Sequence, residues 1–390
     1  MKVGIVTLVS DNYGNKYQNY AVEQLLREYG EAVTYRVQEQ PRTAAERQSR
    51  TLWQKLKPAY IAEVLRYRMM YRYDITNTTR SIPGNLAYIA LHKNQLLAAQ
   101  KERKEKFRAF QNAYLHISER IITRENCCDR EWLDSHDCFV CGSDQIWNPT
   151  YATTSELAFL SFAPGKAVAL APSFGLSELP EDTKGNFRNW LDGMTSLSVR
   201  EEAGAKIIRE LTGREATVLL DPTMAIAPEH WKMLSGKPDT PMPDKYILTY
   251  FLGRVTKKYA RRIRELSRQT GLPVVNLFNI EQPEYYCFDP REVLYAIQNA
   301  DLVLTDSFHG TVFSILFQKD FLVFRRDEGG KSMHSRLETL LGRFGLEDRL
   351  DDGAACADSI SAEKWELTQG IISCERERTK AYLKQALCGR

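Results

Sequence analysis

Residues 300–317, Ala300-Asp301-Leu302-Val303-Leu304-Thr305-Asp306-Ser307-Phe308-His309-Gly310-Thr311-Val312-Phe313-Ser314-Ile315-Leu316-Phe317, decide the fold. Asp301–Thr305 reads as an apolar strand, Asp306–Gly310 as a polar turn and Thr311–Phe317 as an apolar helix. A strand that exits through a polar turn into a helix is the unit of an open α/β sheet, whose ligands sit at the strands' carboxyl ends. Downstream, Phe321–Phe324 is the next strand, Gly329-Gly330-Lys331 a loop and 360–388 a helix. Upstream, Asp289-Pro290 opens a helix with Asp as cap and Pro at its first position. Tyr246–Leu252 and Pro273–Leu277 are strands flanking a helix at 257–269. The rhythm recurs nearer the start. Lys2–Ser10 ends in Asp11-Asn12-Tyr13-Gly14-Asn15 and a helix follows through Gln18, Ala21, Val22, Leu25 and Leu26. Cys138–Cys141, Lys166–Leu170, Ser196–Val199 and Thr217–Leu220 are further strands, each leaving into a polar or Gly/Pro turn. Pro228, Pro241 and Pro243 mark a boundary near 225–243. The expectation is two α/β domains, 1–225 and 226–358, followed by a C-terminal helix in 359–390.

The 390 residues suit two domains of about 150–200 residues each. With 43% hydrophobic and 26% charged residues, disordered, collagen-like and disulfide-scaffold classes are excluded. No apolar run approaches the roughly 18–20 residues that span a bilayer. The opening MKVGIVTLVSDNYGN reads as a core strand rather than a signal peptide, so a cytoplasmic location is expected. A net charge of +3 is too balanced for a nucleic-acid binder. Residues 41–124 differ, with 17 Lys+Arg against 6 Asp+Glu. They read as a basic helical insertion with helices at 52–73 and 87–112, and Arg66–Tyr73 interleaves cations with aromatics. Two readings stand: an amphipathic helix packed on its own domain, or a surface for peripheral contact with a membrane or anionic glycan lipid. The eight cysteines include a CxxC at Cys138 and Cys141. Side chains three apart on a strand face opposite ways, so these are read as core cysteines and no metal site is expected.

Four constellations carry possible chemistry. His309 stands where a helix begins beside Gly310, positioned to donate a proton, to hold a phosphate or carboxylate oxygen, or to cap its own helix. Arg200 follows a strand and offers a bidentate grip on an anion, or a salt bridge to Glu201, Glu202 or Asp221. In Gly142–Asn148, Asp144, Gln145 and Asn148 around Trp147 suit a sugar site, or a turn whose Trp plugs the core. Asn15 and Gln18 fit a polar pocket wall. No Walker, GxGxxG, HExxH, GxSxG or kinase pattern is present.

These stretches resemble the bacterial polysaccharide pyruvyl transferase family. The resemblance rests on GSDQIWN at 142–148, SFG at 173–175, SVREEAGAKIIRELTG at 198–213, LDPT at 220–223, ADLVLTDSFHGTVFSILF at 300–317 and HSRLETLL at 334–341. It implies a glycosyltransferase-B-like fold, two Rossmann-like domains facing a cleft, with a C-terminal helix that crosses back. It implies transfer of the pyruvyl group of phosphoenolpyruvate to two sugar hydroxyls as a ketal, in cell-surface polysaccharide or lipid-linked oligosaccharide synthesis. His309 and Arg200 would contact the donor, with His309 as general acid and with Ser307, Gly310, Thr311 and Arg336 on the donor side. Asn15, Gln18, Asp144, Gln145, Trp147, Asn148 and Ser173 would face the acceptor, a saccharide or lipid-linked saccharide. No metal or cofactor is expected beyond the donor substrate. Ser307 stands where pyruvyl transferases often carry Arg, so Arg336 or Lys331 is expected to supply that cation. The competing expectations are a transferase with a nucleotide-activated donor, using Glu281 or Glu284 on a ribose, and a non-catalytic glycan-binding homologue.

Overall fold

The structure is a computed structural model that describes residues 1–38, 72–73, 75, 80–326, 331–351 and 357–389, without the side chains of 82 and 331–335. Strands β1 (Lys2–Val6), β2 (Glu31–Val37), β3 (Ile117–Ile122), β4 (Cys138–Cys141) and β5 (Ala167–Ala169) form one sheet in the order β3-β2-β1-β4-β5. Every pairing in it is parallel. β6 (Ser198–Val199) and β7 (Thr217–Val218) pair in parallel, and a bridge from Val168 to Ser196 continues the first sheet toward them. The second sheet holds β8 (Ile247–Tyr250), β9 (Val274–Asn276), β10 (Leu302–Thr305), β11 (Asp320–Phe324) and β12 (Leu350–Asp351), in the order β12-β11-β10-β8-β9 and again parallel. Parallel neighbours need long crossovers, and helices on both faces bury the strands on two sides. That is why runs such as Cys-Phe-Val-Cys of β4 are apolar at every position and buried throughout.

The helices that matter here are α1 (Tyr13–Arg27), α2 (Ile82–Tyr114), α3 (Glu202–Thr212), α4 (Pro222–Ala225), α5 (Pro290–Asn299), α6 (Phe308–Leu316), α7 (Lys331–Arg343) and α8 (Ala362–Cys388). The fold is α/β with two Rossmann-like, doubly wound halves. Each strand order reverses direction once: between β1 and β4 in the first sheet, and between β8 and β10 in the second. Loops leaving neighbouring strands at such a reversal run to opposite faces and leave a crevice, which is where open α/β sheets bind ligands.

Two sequence expectations need correction, and a third falls mostly outside the described residues. Residues 41–124 are not one insertion: α2 is the crossover that returns the chain to the sheet, and Ile117–Ile122 is its edge strand. An edge strand tolerates the polar centre Ser118-Glu119-Arg120, so the net basic window hid it. The expected helix at 52–73 lies outside the described residues apart from Arg72 and Tyr73. The helix expected from Thr311 starts at Phe308, because the Ser307 hydroxyl caps it by accepting from the Gly310 N–H at 3.3 Å. The tail forms α8, and the Asp289–Glu292 capping box starts α5. Cys138 and Cys141 pack into different hydrophobic clusters on opposite faces of β4.

The two halves share one core. Tyr13 and Tyr17 of α1 reach into the second half, donating to the carbonyls of Phe288 (2.5 Å) and Pro290 (2.7 Å). The Tyr17 ring meets Phe313 edge-on at 4.8 Å and Trp231 at 5.9 Å. α8 adds a second tie: its Tyr382 hydroxyl donates to Ala169 O at 2.6 Å, while its Glu375 pairs with Arg343 of the second half at 2.7 Å. Replacing Tyr17 by Ala is expected to cost about 3–5 kcal/mol. Tyr17→Phe, which loses only the hydrogen bond, is expected to cost about 1 kcal/mol. Urea unfolding of the three proteins measures both.

Candidate functional site

The loops after β1, β4, β8 and β10 close around a cavity of about 410 Å³. The first half contributes Ser10, Asn12, Asn15, Asp144, Gln145 and Tyr151; the second contributes Leu252, Asp306, Ser307, Phe308, His309, Arg326 and Arg336. Both strand-order reversals therefore open into the same space.

His309 sits in the first turn of α6 and is buried. Its ring lies close against Gly14, where a Cβ would collide with Nδ1 and fall 2.7 Å from Cε1. Glycine at 14 is thus the cradle for the imidazole. His309 Nε2 is buried and has no hydrogen-bond partner among the described residues. Burial lowers the imidazole pKa from its ordinary 6.5; Asp221 and Asp144 oppose this, and Arg200 and Arg336 add to it. The unliganded ring is neutral at pH 7.

Behind His309 lies a buried ion cluster. Arg200, just past β6, pairs with Asp221 at 2.6 Å, Asp144 at 3.5 Å and Glu201 at 3.7 Å, and its guanidinium carbon is 4.6 Å from the centre of the Phe308 ring. Burial works against the Arg200 charge, but the three carboxylates outweigh it and hold the group above its ordinary pKa. Burial likewise pushes the Asp221 carboxyl up. Arg200, His309 and the Thr223 hydrogen bonds outweigh it and leave Asp221 below the usual carboxylate value. Asp221 also caps α4 through Thr223 N (3.0 Å) and Oγ1 (2.7 Å). Arg336, on α7, is almost fully buried. Burial first and the neighbouring Arg200 second lower it to about 10, against the pull of Asp144 and Glu201. With the Gln145 carboxamide turned so that its oxygen faces the guanidinium, that oxygen accepts from both terminal nitrogens of Arg336, at 2.6 and 2.8 Å. Arg326, at the carboxyl end of β11, pairs with Asp306 at 3.2 Å; Asp306 in turn accepts from the backbone N–H of Leu252 and Gly253.

Of the residues singled out in the sequence, Asn15, Asp144, Gln145, Ser307, His309 and Arg336 line the cavity. Asn15 donates to Asp144 at 2.6 Å and fixes its carboxylate. Arg200 lies one layer behind, in a narrow crevice with Glu201, Asp221, Phe308 and Arg336. The salt-bridge reading of Arg200 and the anion-holding one thus involve the same group. The others fall elsewhere. Trp147 is fully buried and stacks on Phe159 at 4.6 Å, so it presents no face to a sugar. Gln18 is fully buried and braces β1 to β4 through Thr7 and Ser143 N. Ser173 donates to Glu201 and accepts from Gly175 N. Asn148 closes its own turn onto Thr150. Thr311 donates to Ser307 O, and Gly310 admits Thr305 of β10, whose Oγ1 would lie 2.4 Å from a Cβ, rather than a ligand. The Lys331 side chain lies outside the described residues. Glu281 is bound by Arg80, and neither it nor Glu284 lines the cavity. Asp221 was read only as a salt-bridge partner of Arg200, and Asp306, Arg326 and the cradle role of Gly14 went unread. Asp306 stands directly after β10, as Arg200 does after β6, and Asp221 and Arg326 stand in the exit turns of β7 and β11, a position that was their signal.

A family model described as polysaccharide pyruvyl transferase matches residues 12–328. No curated protein matches the chain significantly. Similar solved structures include UDP-GlcNAc 2-epimerase from Neisseria meningitidis bound to UDP-GlcNAc, at 14% identity and TM-score 0.43, covering 99% of this chain and 94% of that one. The same enzyme from Methanocaldococcus jannaschii is 11% identical with TM-score 0.43, covering 96% and 92%. The glycosyltransferase SnogD from Streptomyces nogalater is 11% identical with TM-score 0.34, covering 99% and 95%.

Two outcomes are expected from this geometry. Gly14→Ala should displace the His309 ring without unfolding the chain, visible as a shifted imidazole resonance by NMR. Asp221, with its folded pKa depressed, contributes stability that is complete above its unfolded value and is lost as pH falls through the folded one. In denaturant titrations below about pH 4, the wild type should therefore lose a stability increment that Asp221→Asn never has.

Proposed function

The chain belongs to the polysaccharide pyruvyl transferase family, and from that premise we propose that its cavity transfers the pyruvyl group of phosphoenolpyruvate to two hydroxyls of a saccharide. The observation that carries this reading is an unpartnered, buried imidazole nitrogen in a cavity walled by cations. In the reaction, the donor's methylene carbon takes a proton and becomes the methyl group, leaving an oxocarbenium-like centre at the adjacent carbon. One sugar hydroxyl adds there, phosphate leaves with its bridging oxygen, and the second hydroxyl closes the ketal. Of the two hydroxyl protons, one replaces that drawn from the acid and one leaves with phosphate. Written so, the chemistry needs no metal.

His309 is the general acid, and its neutral resting state is part of the mechanism. A donor carrying a carboxylate and a phosphate brings negative charge beside the ring, offsets Arg200 and Arg336, and raises the imidazole pKa. The acid is thus charged by the substrate it will protonate. Arg336 and Arg326 hold the donor's anionic groups from the cavity wall, and Arg200 supplies field from behind. Asn15, Asp144 and Gln145 face the acceptor hydroxyls. This work belongs to the synthesis of cell-surface polysaccharide or its lipid-linked precursors, at the cytoplasmic face of the membrane. Among the described residues, no helix is long and apolar enough to cross a membrane.

Calorimetric titration with phosphoenolpyruvate should show saturable binding with proton uptake near neutral pH, read as a dependence of the heat on buffer ionisation enthalpy. His309→Ala should abolish the uptake and slow turnover about 10²–10⁴-fold. Arg336→Ala should weaken donor binding by about 1.5–3 kcal/mol. Because the free enzyme must gain a proton at His309, kcat/KM should fall as pH rises through a pKa below 6.5. No binding at millimolar donor, or uptake that survives His309→Ala, overturns the assignment.

A further inference from the structure

The helix Lys257–Thr270 joins β8 to β9, and none of its residues lines the cavity or the crevice behind it. Between Arg254 and Thr270 the sequence carries seven Lys or Arg and one acidic residue, Glu265. The charge is local, since the whole chain carries only +3. One side of the helix is apolar. Tyr259, Ala260, Ile263 and Leu266 pack on Ile247, Leu304 and Phe324. The intervening strand residues, such as Leu248, Val303 and Val323, join the core shared with α1. Strand side chains alternate between faces, so the helix covers the face of the second sheet turned away from the first half.

The opposite side is a row of cations. Lys257, Arg261, Arg264 and Arg268 recur at helical spacing and are all exposed, over about 16 Å of helix. Every exposed residue of this helix is polar. The row works against the helix that carries it. Like charges three and four residues apart repel, and cations in a first turn oppose the helix dipole, where Lys257 and Lys258 stand with no acidic residue. Folding does not call for the row, because the Thr256 cap and the apolar side supply what the helix needs. Charge kept at a cost to local stability points to a partner that uses it.

We infer that this face docks on the surface of an anionic phospholipid membrane, its cations meeting the headgroup phosphates. A bilayer spreads its anions over a plane, which long, mobile side chains can meet without fixed partner geometry. With only polar residues exposed, the helix lies on the headgroups by charge and does not insert. The row begins beside the exit of β8, whose Leu252 lines the cavity. A saccharide carried on a lipid in that membrane would thus have its sugar near the cavity mouth. That last step rests on the pyruvyl-transfer reading; the docking face does not.

The test is flotation with vesicles of phosphatidylcholine alone, and of phosphatidylcholine with about one-third phosphatidylglycerol, at about 0.05 M and 0.5 M salt. The proteins are the full-length wild type, Arg261→Gln with Arg264→Gln, and Arg261→Lys with Arg264→Lys. Wild type is expected to float with the anionic vesicles at low salt, to be released at high salt and to ignore the neutral vesicles. The glutamine pair should bind about tenfold more weakly or worse while melting no lower than wild type, because it relieves repulsion within the row. The lysine pair should keep binding. No binding to anionic vesicles at low salt, equal binding to neutral ones, or undiminished binding by the glutamine pair overturns the inference. So does a short duplex RNA that binds wild type more tightly than the vesicles do and is lost with the glutamine pair. Failure of phosphoenolpyruvate to bind, with flotation still weakened in the glutamine pair, overturns the donor assignment and leaves the membrane face standing.

Discussion

The ion pair between Arg200 and Asp221 is the constraint on which the site depends. Arg200 is only 4% exposed and Asp221 is fully buried, and an isolated charge at such a depth costs several kcal/mol. The pair is tolerable because its partners converge from separate strands: Arg200 and Glu201 after β6, Asp221 after β7, and Asp144 after β4. Removing one partner leaves a buried charge unmatched, so the three loops hold one another in register. Asp221 extends this order outward. It caps α4, whose Met224 carbonyl accepts from Arg376 of α8 at 3.0 Å, so the carboxylate behind the site also steadies one of the contacts that hold the C-terminal helix. The cluster also sets the electrostatics of His309, since the carboxylates and arginines that balance one another there are the groups that move its pKa.

α1 transmits this order across the cavity. Its first turn supplies Gly14, on which the His309 ring rests, and its buried face supplies Tyr13 and Tyr17, which anchor in the second half. A hinge motion that separated the halves would expose these rings and Phe313, at about 1.5–3 kcal/mol for each large apolar side chain. It would also lift Gly14 away from the imidazole. The acid and the loops of the first half therefore keep a fixed relation, and access to the cavity falls to its rim residues, such as Tyr151, which is 40% exposed.

How much of this was legible follows from what each residue answers to. The strand, polar turn and helix at 301–317 could be read because a buried parallel strand is apolar at every position and its exit turn is not; the same contrast exposed β1, β4 and β8. β3 escaped because an edge strand is half solvated and need not be apolar. Arg200 and His309 were visible because they occupy strand exits where sheets bind ligands. Trp147, Gln18 and Ser173 were placed near the site by the same logic, yet they face inward and brace it. Sequence position gives the loop but not the direction of a side chain within it, which the packing of Phe159, Thr7 and Glu201 decides. Gly14 shows the converse limit. Its function is to have no side chain where another residue's ring must lie, and that neighbour is 295 positions away.

Ser307 shows how the cap of a helix and the charge of the wall beside it come from different residues. At position 307 the chain has a hydroxyl that caps α6, which fixes the first turn and with it His309. A serine cannot hold an anion as a cation does. In this fold two other strand-exit or helix positions reach the same wall: Arg326 beyond β11, and Arg336 on α7. Arg326 is oriented by Asp306, the residue before Ser307, and Asp306 is itself held by two backbone N–H groups of the loop after β8. The cap and the carboxylate beside it thus have separate tasks, one aiming the imidazole and the other aiming a guanidinium. Electrostatic stabilisation depends on where charge stands relative to the reacting atoms and on how rigidly it is held, not on which segment delivers it.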